Sequence, residues 1–310
     1  MSVFFTFPGQ GAQRARMLHA LPEHVEAARA LEEASDALGY DVQSLDDSHA
    51  LRSTVAVQLC LLIAGVAQAR VMSAGGHGPD MVAGLSIGAY PAAVIAGAIE
   101  YADAVRLVAL RGQLMERAYP GGYGMTAIVG LTQHALERLI AEVNSTAMPV
   151  FLANINAPTQ MVVAGSDPAM QRLATLASEH GAQRSERLDV AVPSHCALLD
   201  APAAALADAF NAVTVHAPRI VYLSGSVARP LFDGPRIAAD LAGNMARQIR
   251  WHDTVRLAWE RGARIAIEMP PGNVLTRLSS AIFTEGIAVS CSETAPPDVG
   301  ALIERERARE

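Results

Sequence analysis

Residues 81–95 read MVAGLSIGAYPAAVI, and this stretch decides the fold. Met81 to Ala83 is a short apolar run that predicts a buried strand, and the uncharged residues after Gly88 predict a buried helix. Gly84 and Gly88 flank Ser86 in a Gly-x-Ser-x-Gly pattern, which is typical of a sharp turn from a strand into a helix. A serine in that turn stands at a helix N-terminus, where free N–H groups and the helix dipole stabilise negative charge. The segment therefore predicts an α/β fold that carries a nucleophilic serine.

The composition is that of a packed enzyme. The chain has 310 residues, of which 51% are hydrophobic and 18% are charged, and its net charge is −7. That negative charge disfavours broad binding to nucleic acid or to anionic membranes. All 24 cationic side chains are arginine, so the Walker-type nucleotide sites and Schiff-base enzymes that require a lysine are excluded. Residues 81–99 are long enough to span a membrane, but Pro91 and three glycines favour a strand, a turn and a buried helix instead.

The cysteines predict a reducing compartment. Cys60, Cys196 and Cys291 are far apart in the sequence and form no His–Cys cluster, which disfavours both a disulfide framework and a zinc site. The first residues also lack the basic and apolar regions of a secretory signal. We therefore expect a cytoplasmic protein with no metal.

A glycine-rich break at residues 119–124 predicts two domains. The residues after it follow a β-α-β-β-α-β order, which is that of a ferredoxin-like unit. The rest of the chain returns to alternating helices and strands that would complete the first sheet. We expect a large α/β-hydrolase-like domain with a parallel sheet, residues 1–123 and 191–310, and a small inserted ferredoxin-like domain, residues 124–190.

A serine hydroxyl is a weak nucleophile and needs a base to accept its proton. Nine histidines are available. His195 is favoured among them because it follows an apolar run at residues 190–192 and a turn fixed by Pro193. The other histidines lie in sequence surroundings where a surface or hydrogen-bonded imidazole is the ordinary case.

Six motifs in order resemble those of the malonyl-CoA:acyl carrier protein transacylase family. They span nearly the whole chain, and together they are far more specific than any one of them. They are FPGQGAQ at 7–13, GLSIG at 84–88, RG at 111–112, NINAP at 154–158, VPSHC at 192–196 and PGNVL at 271–275.

The resemblance implies a two-step acyl transfer in which the chain itself binds no cofactor. Ser86 would attack the thioester of malonyl-CoA and carry the acyl group as an ester, with His195 as the base. The backbone N–H groups of Gln10 and Ile87 would form the oxyanion hole, in which fixed donors stabilise the tetrahedral intermediate.

The resemblance also implies how the acyl group and the base are positioned. Arg111 would bind the free carboxylate of the malonyl group through two charge-assisted bonds, and Gly112 would allow its helix to approach another backbone closely. The main-chain carbonyl of Arg250, just before Trp251, would orient His195 in place of an aspartate.

Two residues beside the serine favour one branch of the family. Leu85 and Ala89 stand where the fatty-acid enzymes usually have His and Glu, and residues 84–94 resemble the epsilon subunit of bacterial malonate decarboxylase. That resemblance implies malonyl-CoA as the substrate and, as the partner, a carrier subunit that bears a phosphoribosyl-dephospho-CoA arm. The alternative is the malonyltransferase of fatty-acid or polyketide synthesis, whose acyl carrier protein bears a phosphopantetheine arm.

Two other classes of protein remain open. A serine hydrolase or thioesterase would use the same turn and would need Asp167 or Asp189 to complete a triad with His195. Arg111 opposes that interpretation because a generic esterase has little use for a carboxylate-binding side chain. A noncatalytic scaffold is the third possibility, and the intact pair of Ser86 and His195 opposes it.

Overall fold

The computed structural model describes residues 2–308 as an α/β protein with two sheets, and residues 1, 309 and 310 of the predicted large domain lie outside this range. The strands are β1 (Ser2–Phe7), β2 (Met81–Gly84), β3 (Tyr123–Val129), β4 (Val150–Ala157), β5 (Gln160–Ser166), β6 (Arg184–Arg187), β7 (Val221–Ser224), β8 (Arg229–Leu231), β9 (Ala263–Glu268) and β10 (Ile287–Ser290). The helices are α1 (Val25–Leu38), α2 (Thr54–Ala74), α3 (Ala89–Ile95), α4 (Tyr101–Ala118), α5 (Gln133–Val143), α6 (Asp167–Glu179), α7 (Asp200–Phe210), α8 (Gly234–Gly243), α9 (Trp251–Glu260), α10 (Val274–Ser280) and α11 (Pro296–Arg307).

The larger sheet has six strands in the order β10-β9-β1-β2-β7-β8. Its first five strands pair in parallel, and β8 joins β7 antiparallel at the edge. The prediction of an α/β fold with a parallel sheet is therefore confirmed. So is the expectation that the C-terminal part of the chain completes the first sheet, because β7 to β10 all belong to it. The functional residues after β1 and β2 lie at the carboxyl ends of neighbouring parallel strands, where open α/β sheets bind ligands.

Helix α2 is the main core helix. By length and composition it is also the one described helix that could cross a membrane, but 89% of that window is buried inside the protein. Residues 81–99, the stretch whose length alone would allow a membrane span, form β2, a short 3-10 helix at Ser86–Gly88 and α3. This is the strand, turn and helix that the sequence predicts. Burial on all sides explains why α2 is apolar around its whole circumference.

The smaller sheet has four antiparallel strands in the order β4-β5-β3-β6. Its chain order, β3-α5-β4-β5-α6-β6, is the predicted alternation of strands and helices. The last strand of this unit, β6, ends at Arg187, and all four of its residues are exposed. Apolar residues of β3, β4 and β5 pack under α5 and α6 in a separate core cluster, which includes Ile128, Val150 and Met161.

Main-chain hydrogen bonds join the smaller sheet to the segment before α9. The N–H of Ile249 donates to the carbonyl of Ala153 at 2.9 Å, and the N–H of Ile155 donates to the carbonyl of Ile249 at 2.8 Å. The Gln248 side chain adds a hydrogen bond to the carbonyl of Leu152 at 3.0 Å. Strand β4 is thereby fixed to the segment that precedes α9.

Helices α2 and α4 pack closely where Gly112 faces Val55. A Cβ atom at position 112 would lie 2.7 Å from the Cα of Val55, a distance that side chains essentially never adopt. The expectation that Gly112 allows a close backbone approach is confirmed. This approach places the next residue toward the N-terminus, Arg111, inside the protein.

Candidate active site

Ser86 lies in a sharp turn directly after β2. Its backbone φ of 59° is in the left-handed region, which non-glycine residues rarely occupy and which costs conformational energy. A Cβ at Gly84 would lie 1.8 Å from the carbonyl carbon of Gly88, and a Cβ at Gly88 would lie 2.1 Å from the carbonyl oxygen of Phe7. Both glycines of the motif are therefore required for the chain to close the turn.

His195 lies against Ser86, as the sequence predicts. Its Nε2 atom is 2.8 Å from the Ser86 Oγ, although the two residues are 109 positions apart in the chain. His195 also has a positive φ, 66°, and its N–H donates to the carbonyl of Met245 at 2.6 Å. Both side chains are buried, with 7% of Ser86 and 3% of His195 exposed.

Main-chain carbonyls fix which nitrogen of His195 carries the proton. The Nδ1 atom is 2.7 Å from the carbonyl oxygen of Asn244 and 3.3 Å from that of Arg247. A carbonyl can only accept, so Nδ1 donates the proton and Nε2 presents its lone pair to the Ser86 hydroxyl. This is the tautomer that a base for Ser86 requires.

The prediction that the main-chain carbonyl of Arg250 orients His195 is wrong. Its carbonyl accepts hydrogen bonds from the N–H of Thr254 at 3.0 Å and from the Thr254 Oγ1 at 2.9 Å. Arg250 precedes the first turn of α9, and that turn uses the carbonyl. The carbonyls at His195 come instead from Asn244, in a short 3-10 helix after α8, and from Arg247 just beyond it.

Burial weakens the basicity of His195. Desolvation lowers the pKa of this imidazole to about 4, the Arg111 cation contributes to the decrease, and the hydrogen bonds to the two carbonyls oppose it. The side chain is therefore neutral at pH 7 and able to accept a proton. The neighbouring thiol of Cys196 does not compete as a nucleophile, since burial raises its pKa to about 11.

Arg111 is fully buried beside Ser86. Its Nη1 donates to the Gln58 Oε1 at 2.6 Å, and its Nη2 donates to the Asn244 Oδ1 at 3.2 Å and lies 3.4 Å from the Ser86 Oγ. Burial lowers the pKa of Arg111 to about 10, so the group is still cationic at pH 7. All three acceptors are neutral, and the Nε atom has no partner among the described residues. A buried cation without a carboxylate is unusual, because desolvation of a charge is costly unless it is paired.

The loop after β1 packs on the serine turn. A Cβ at Gly9 would lie 3.5 Å from the Cβ of Ser86, which places the next residue, Gln10, beside the nucleophile. Within residues 2–308 the N–H of Gln10 has no acceptor. Ile87 follows Ser86 in the first turn of a 3-10 helix, where N–H groups lack partners within the helix. Both N–H groups predicted for the oxyanion hole are thus near the nucleophile: Ile87 is its neighbour in the chain, and Gln10 follows a residue that packs on it.

Two amide side chains of this site were missed by the sequence analysis. Gln58 bridges Arg111 and Gln10, because its Nε2 donates to the Gln10 Oε1 at 3.1 Å. Asn244 contacts Arg111 and also donates from Nδ2 to the main-chain carbonyl of Ser86 at 3.2 Å. Gln58 is one of two amides, with Gln68, in the apolar helix α2, where a buried amide signals a polar contact, but no local pattern distinguishes Asn244.

The aspartates that a hydrolase triad would need are elsewhere. Asp167 forms an ion pair with Arg187 at 2.8 Å, and Asp189 is an exposed residue that lines a cavity of about 300 Å³ next to Gln10. Neither is a partner of His195. Within residues 2–308 there is also no group of three or more His, Cys, Asp or Glu residues that could hold a metal ion.

Comparisons with known proteins identify acyl transferases as relatives of this chain. Residues 4–302 match the model of the acyl transferase domain family. The chain belongs to this family. It is 36% identical over 296 residues to the malonyl CoA-acyl carrier protein transacylase of Haemophilus influenzae, with 93% of this chain and 95% of the relative covered. The protein of the same name from Escherichia coli K12 is 36% identical over 306 residues, with 97% and 98% covered.

Solved structures of such acyl transferases have the same fold. An acyl carrier protein S-malonyltransferase from Vibrio cholerae superposes with a TM-score of 0.89 at 36% identity and covers 96% of this chain and 99% of that one. A malonyl-transacylase in complex with a type II polyketide acyl-carrier protein superposes with a TM-score of 0.90 at 33% identity and covers 98% and 100%. The resemblance to the transacylase family that the motifs indicated is therefore confirmed.

The low pKa of His195 predicts how the reactivity of Ser86 in this acyl transferase depends on pH. Labelling of Ser86 by a fluorophosphonate, followed by intact-protein mass, needs a neutral His195. Because the folded-state pKa is about 4, the labelling rate should stay at its plateau as the pH falls from 8 to about 5 and should decline near pH 4. A half-maximal rate near pH 6.5, the ordinary value for histidine, would contradict this account of the site.

Proposed function

We propose that this protein transfers a malonyl group from malonyl-CoA to the thiol of an acyl carrier protein. One observation carries the proposal: a buried, cationic Arg111 with only neutral partners lies 3.4 Å from the oxygen of a serine that is hydrogen-bonded to a neutral histidine. The serine and histidine are the nucleophile and the base that acyl transfer requires. The guanidinium favours an acyl group that carries a carboxylate, because it can form charge-assisted hydrogen bonds with it. The named relatives support the same activity.

The first half-reaction forms an ester on the enzyme. The Ser86 Oγ attacks the thioester carbonyl while its proton passes to the His195 Nε2, and the N–H groups of Gln10 and Ile87 hold the developing oxyanion. When the C–S bond breaks, the CoA sulfur takes the proton from His195. No cofactor bound to this chain enters the step.

The second half-reaction repeats these steps in the opposite direction. The thiol at the end of the carrier's arm gives its proton to the His195 Nε2 and attacks the malonyl ester. When the tetrahedral intermediate collapses, the Ser86 oxygen leaves and recovers the proton. A carbonyl-oriented histidine suits both halves, because the hydrogen bond of Nδ1 to Asn244 keeps Nε2 aimed at Ser86 throughout.

The acceptor that we favour is a phosphopantetheine-bearing carrier of fatty-acid or polyketide synthesis. The relatives with transacylase names and the complex with a polyketide carrier support it. The malonate decarboxylase carrier, favoured by the sequence, rests on Leu85, Ala89 and the resemblance of residues 84–94, and it has no support from these relatives. Leu85 packs against a core cluster beside β2, and Ala89 is 4% exposed, so local packing accounts for both residues.

The domain division and the cellular location are also proposals. We assign residues 1–123 and 191–310 to a large hydrolase-like domain and residues 124–190 to a ferredoxin-like insertion. The strand order of the small sheet and its separate core cluster support the insertion. A cytoplasmic location is supported by the three cysteines, Cys60, Cys196 and Cys291, all of which are free.

Brief mixing with malonyl-CoA tests the proposed transfer. Intact-protein mass should show one malonyl adduct on the wild type and none on Ser86→Ala, because the ester forms on the Ser86 oxygen. Addition of a holo carrier protein with a phosphopantetheine arm should remove the adduct and add one malonyl group to the carrier. Steady release of malonate without a carrier product would instead indicate a hydrolase, and transfer only to a phosphoribosyl-dephospho-CoA carrier would restore malonate decarboxylase.

Arg111 should set the preference for malonyl over acetyl groups. We expect Arg111→Ala to lower kcat/KM for malonyl-CoA by about 30-fold or more, since loss of one partner of a buried charge pair costs about 2 kcal/mol or more. Acetyl-CoA, which has no carboxylate, should lose much less. Arg117→Ala, an exposed arginine on the same helix, is the matched control and should leave both rates unchanged. Equal losses for both substrates would remove Arg111 from recognition.

A further inference from the structure

The Asn244 residue contacts three functional groups at once. Its main-chain carbonyl accepts the His195 Nδ1 proton at 2.7 Å, and its Nδ2 donates to the carbonyl of Ser86 at 3.2 Å. Its Oδ1 accepts from the Arg111 Nη2 at 3.2 Å. The residue is 2% exposed, so these contacts are made away from water. One short 3-10 helix therefore sets the relative positions of base, nucleophile and guanidinium.

The side chain of Asn244 is chemically suited to a task that an aspartate could not perform. An amide oxygen orients a guanidinium through a hydrogen bond without neutralising it, whereas a carboxylate would form an ion pair. The second close acceptor, Gln58, is also an amide. The carboxylate of Asp240, four residues before Asn244, is held by other groups, because it accepts hydrogen bonds from Tyr222 and Ser224.

Whether the Arg111 guanidinium already has a countercharge matters, because the carboxylate of the substrate would have to compete with that countercharge. A guanidinium already paired with a protein carboxylate would offer little to an incoming acyl carboxylate. Held by neutral oxygens, the Arg111 cation lacks a countercharge until an anion arrives. The desolvation of the cation is then compensated only when a substrate with a carboxylate fills the site.

We propose that Asn244 is a positioning residue that determines specificity: its amide holds Arg111 in place and leaves the guanidinium charge available to the carboxylate of the acyl group. This inference rests on the proposed function, because it assumes that the acyl group carries a carboxylate. Asn244 acts through Arg111 and through the Ser86 backbone.

Two substitutions at this position separate charge from structure. Asn244→Ala and Asn244→Asp both remove the hydrogen bond to the Ser86 carbonyl, but only Asn244→Asp adds a carboxylate beside Arg111. We expect the malonyl-to-acetyl ratio of kcat/KM to fall about tenfold or more further in Asn244→Asp than in Asn244→Ala. The additional loss should lie mainly in KM for malonyl-CoA, because the competition is for binding of the carboxylate.

The control for the change from amide to acid is Asn211→Asp, at an exposed position after α7, which should keep the wild-type ratio. Fluorophosphonate labelling of Ser86 reports whether each variant keeps a competent nucleophile. Should Asn244→Asp fail to fold, Gln58→Glu places a carboxylate at the other nitrogen of Arg111, and the ratio should fall there as well, relative to Gln58→Ala.

The outcomes distinguish this inference from the proposed function. A wild type that forms no malonyl adduct on Ser86 would contradict the proposed function itself. A wild type that is malonylated, whose preference is lost in Arg111→Ala but is equal in Asn244→Ala and Asn244→Asp, would overturn only the inference. Equal losses for malonyl and acetyl substrates in both Asn244 variants would reduce the residue to a structural role.

Discussion

Burial of the Arg111 cation imposes the main constraint on this structure. A guanidinium that is removed from water loses its hydration, and within residues 2–308 no carboxylate pairs with Arg111 to restore the lost free energy. The close approach of α4 to α2 at Gly112 makes that burial possible, and the neutral oxygens of Gln58 and Asn244 fix the orientation of the group. Desolvation makes the largest contribution to the low pKa of His195, and the same cation lowers that pKa further, so the base is neutral. The proposed recognition of the acyl group and the basicity of His195 would therefore be coupled through one charge.

This coupling has a consequence for the reaction. On the proposed pairing of an acyl carboxylate with Arg111, the electrostatic effect of the cation on His195 would be reduced, and the imidazole would become a stronger base once a malonyl group is bound. The substrate would thus improve the proton acceptor for its own transfer. An acetyl group would leave the cation unpaired and the imidazole weaker. Selectivity would then arise from the chemical step as well as from binding.

The sequence predicted the parts of the fold and site that local patterns determine. The steric demand at Gly84 and Gly88 specifies a strand, a tight turn and a helix, and the proline-fixed turn before His195 delivers a buried histidine. The orienting carbonyl was assigned to Arg250 wrongly, because a main-chain oxygen is independent of side-chain identity and only the folded chain determines which one is near. Asn244 could not be predicted for a related reason. Its three contacts are with residues 49 or more positions away in the chain, so no local pattern announces them.

The central claim is that Arg111, held by neutral hydrogen-bond acceptors, has no countercharge until the carboxylate of a substrate binds to it. A crystal structure of the wild type trapped as the malonyl ester tests it most directly. The account predicts an ester on the Ser86 oxygen, the malonyl carboxylate in bidentate contact with the Arg111 guanidinium, and the ester carbonyl directed at the N–H groups of Gln10 and Ile87. A malonyl carboxylate that points to solvent, with Arg111 still bound only to its neutral partners, would contradict the account.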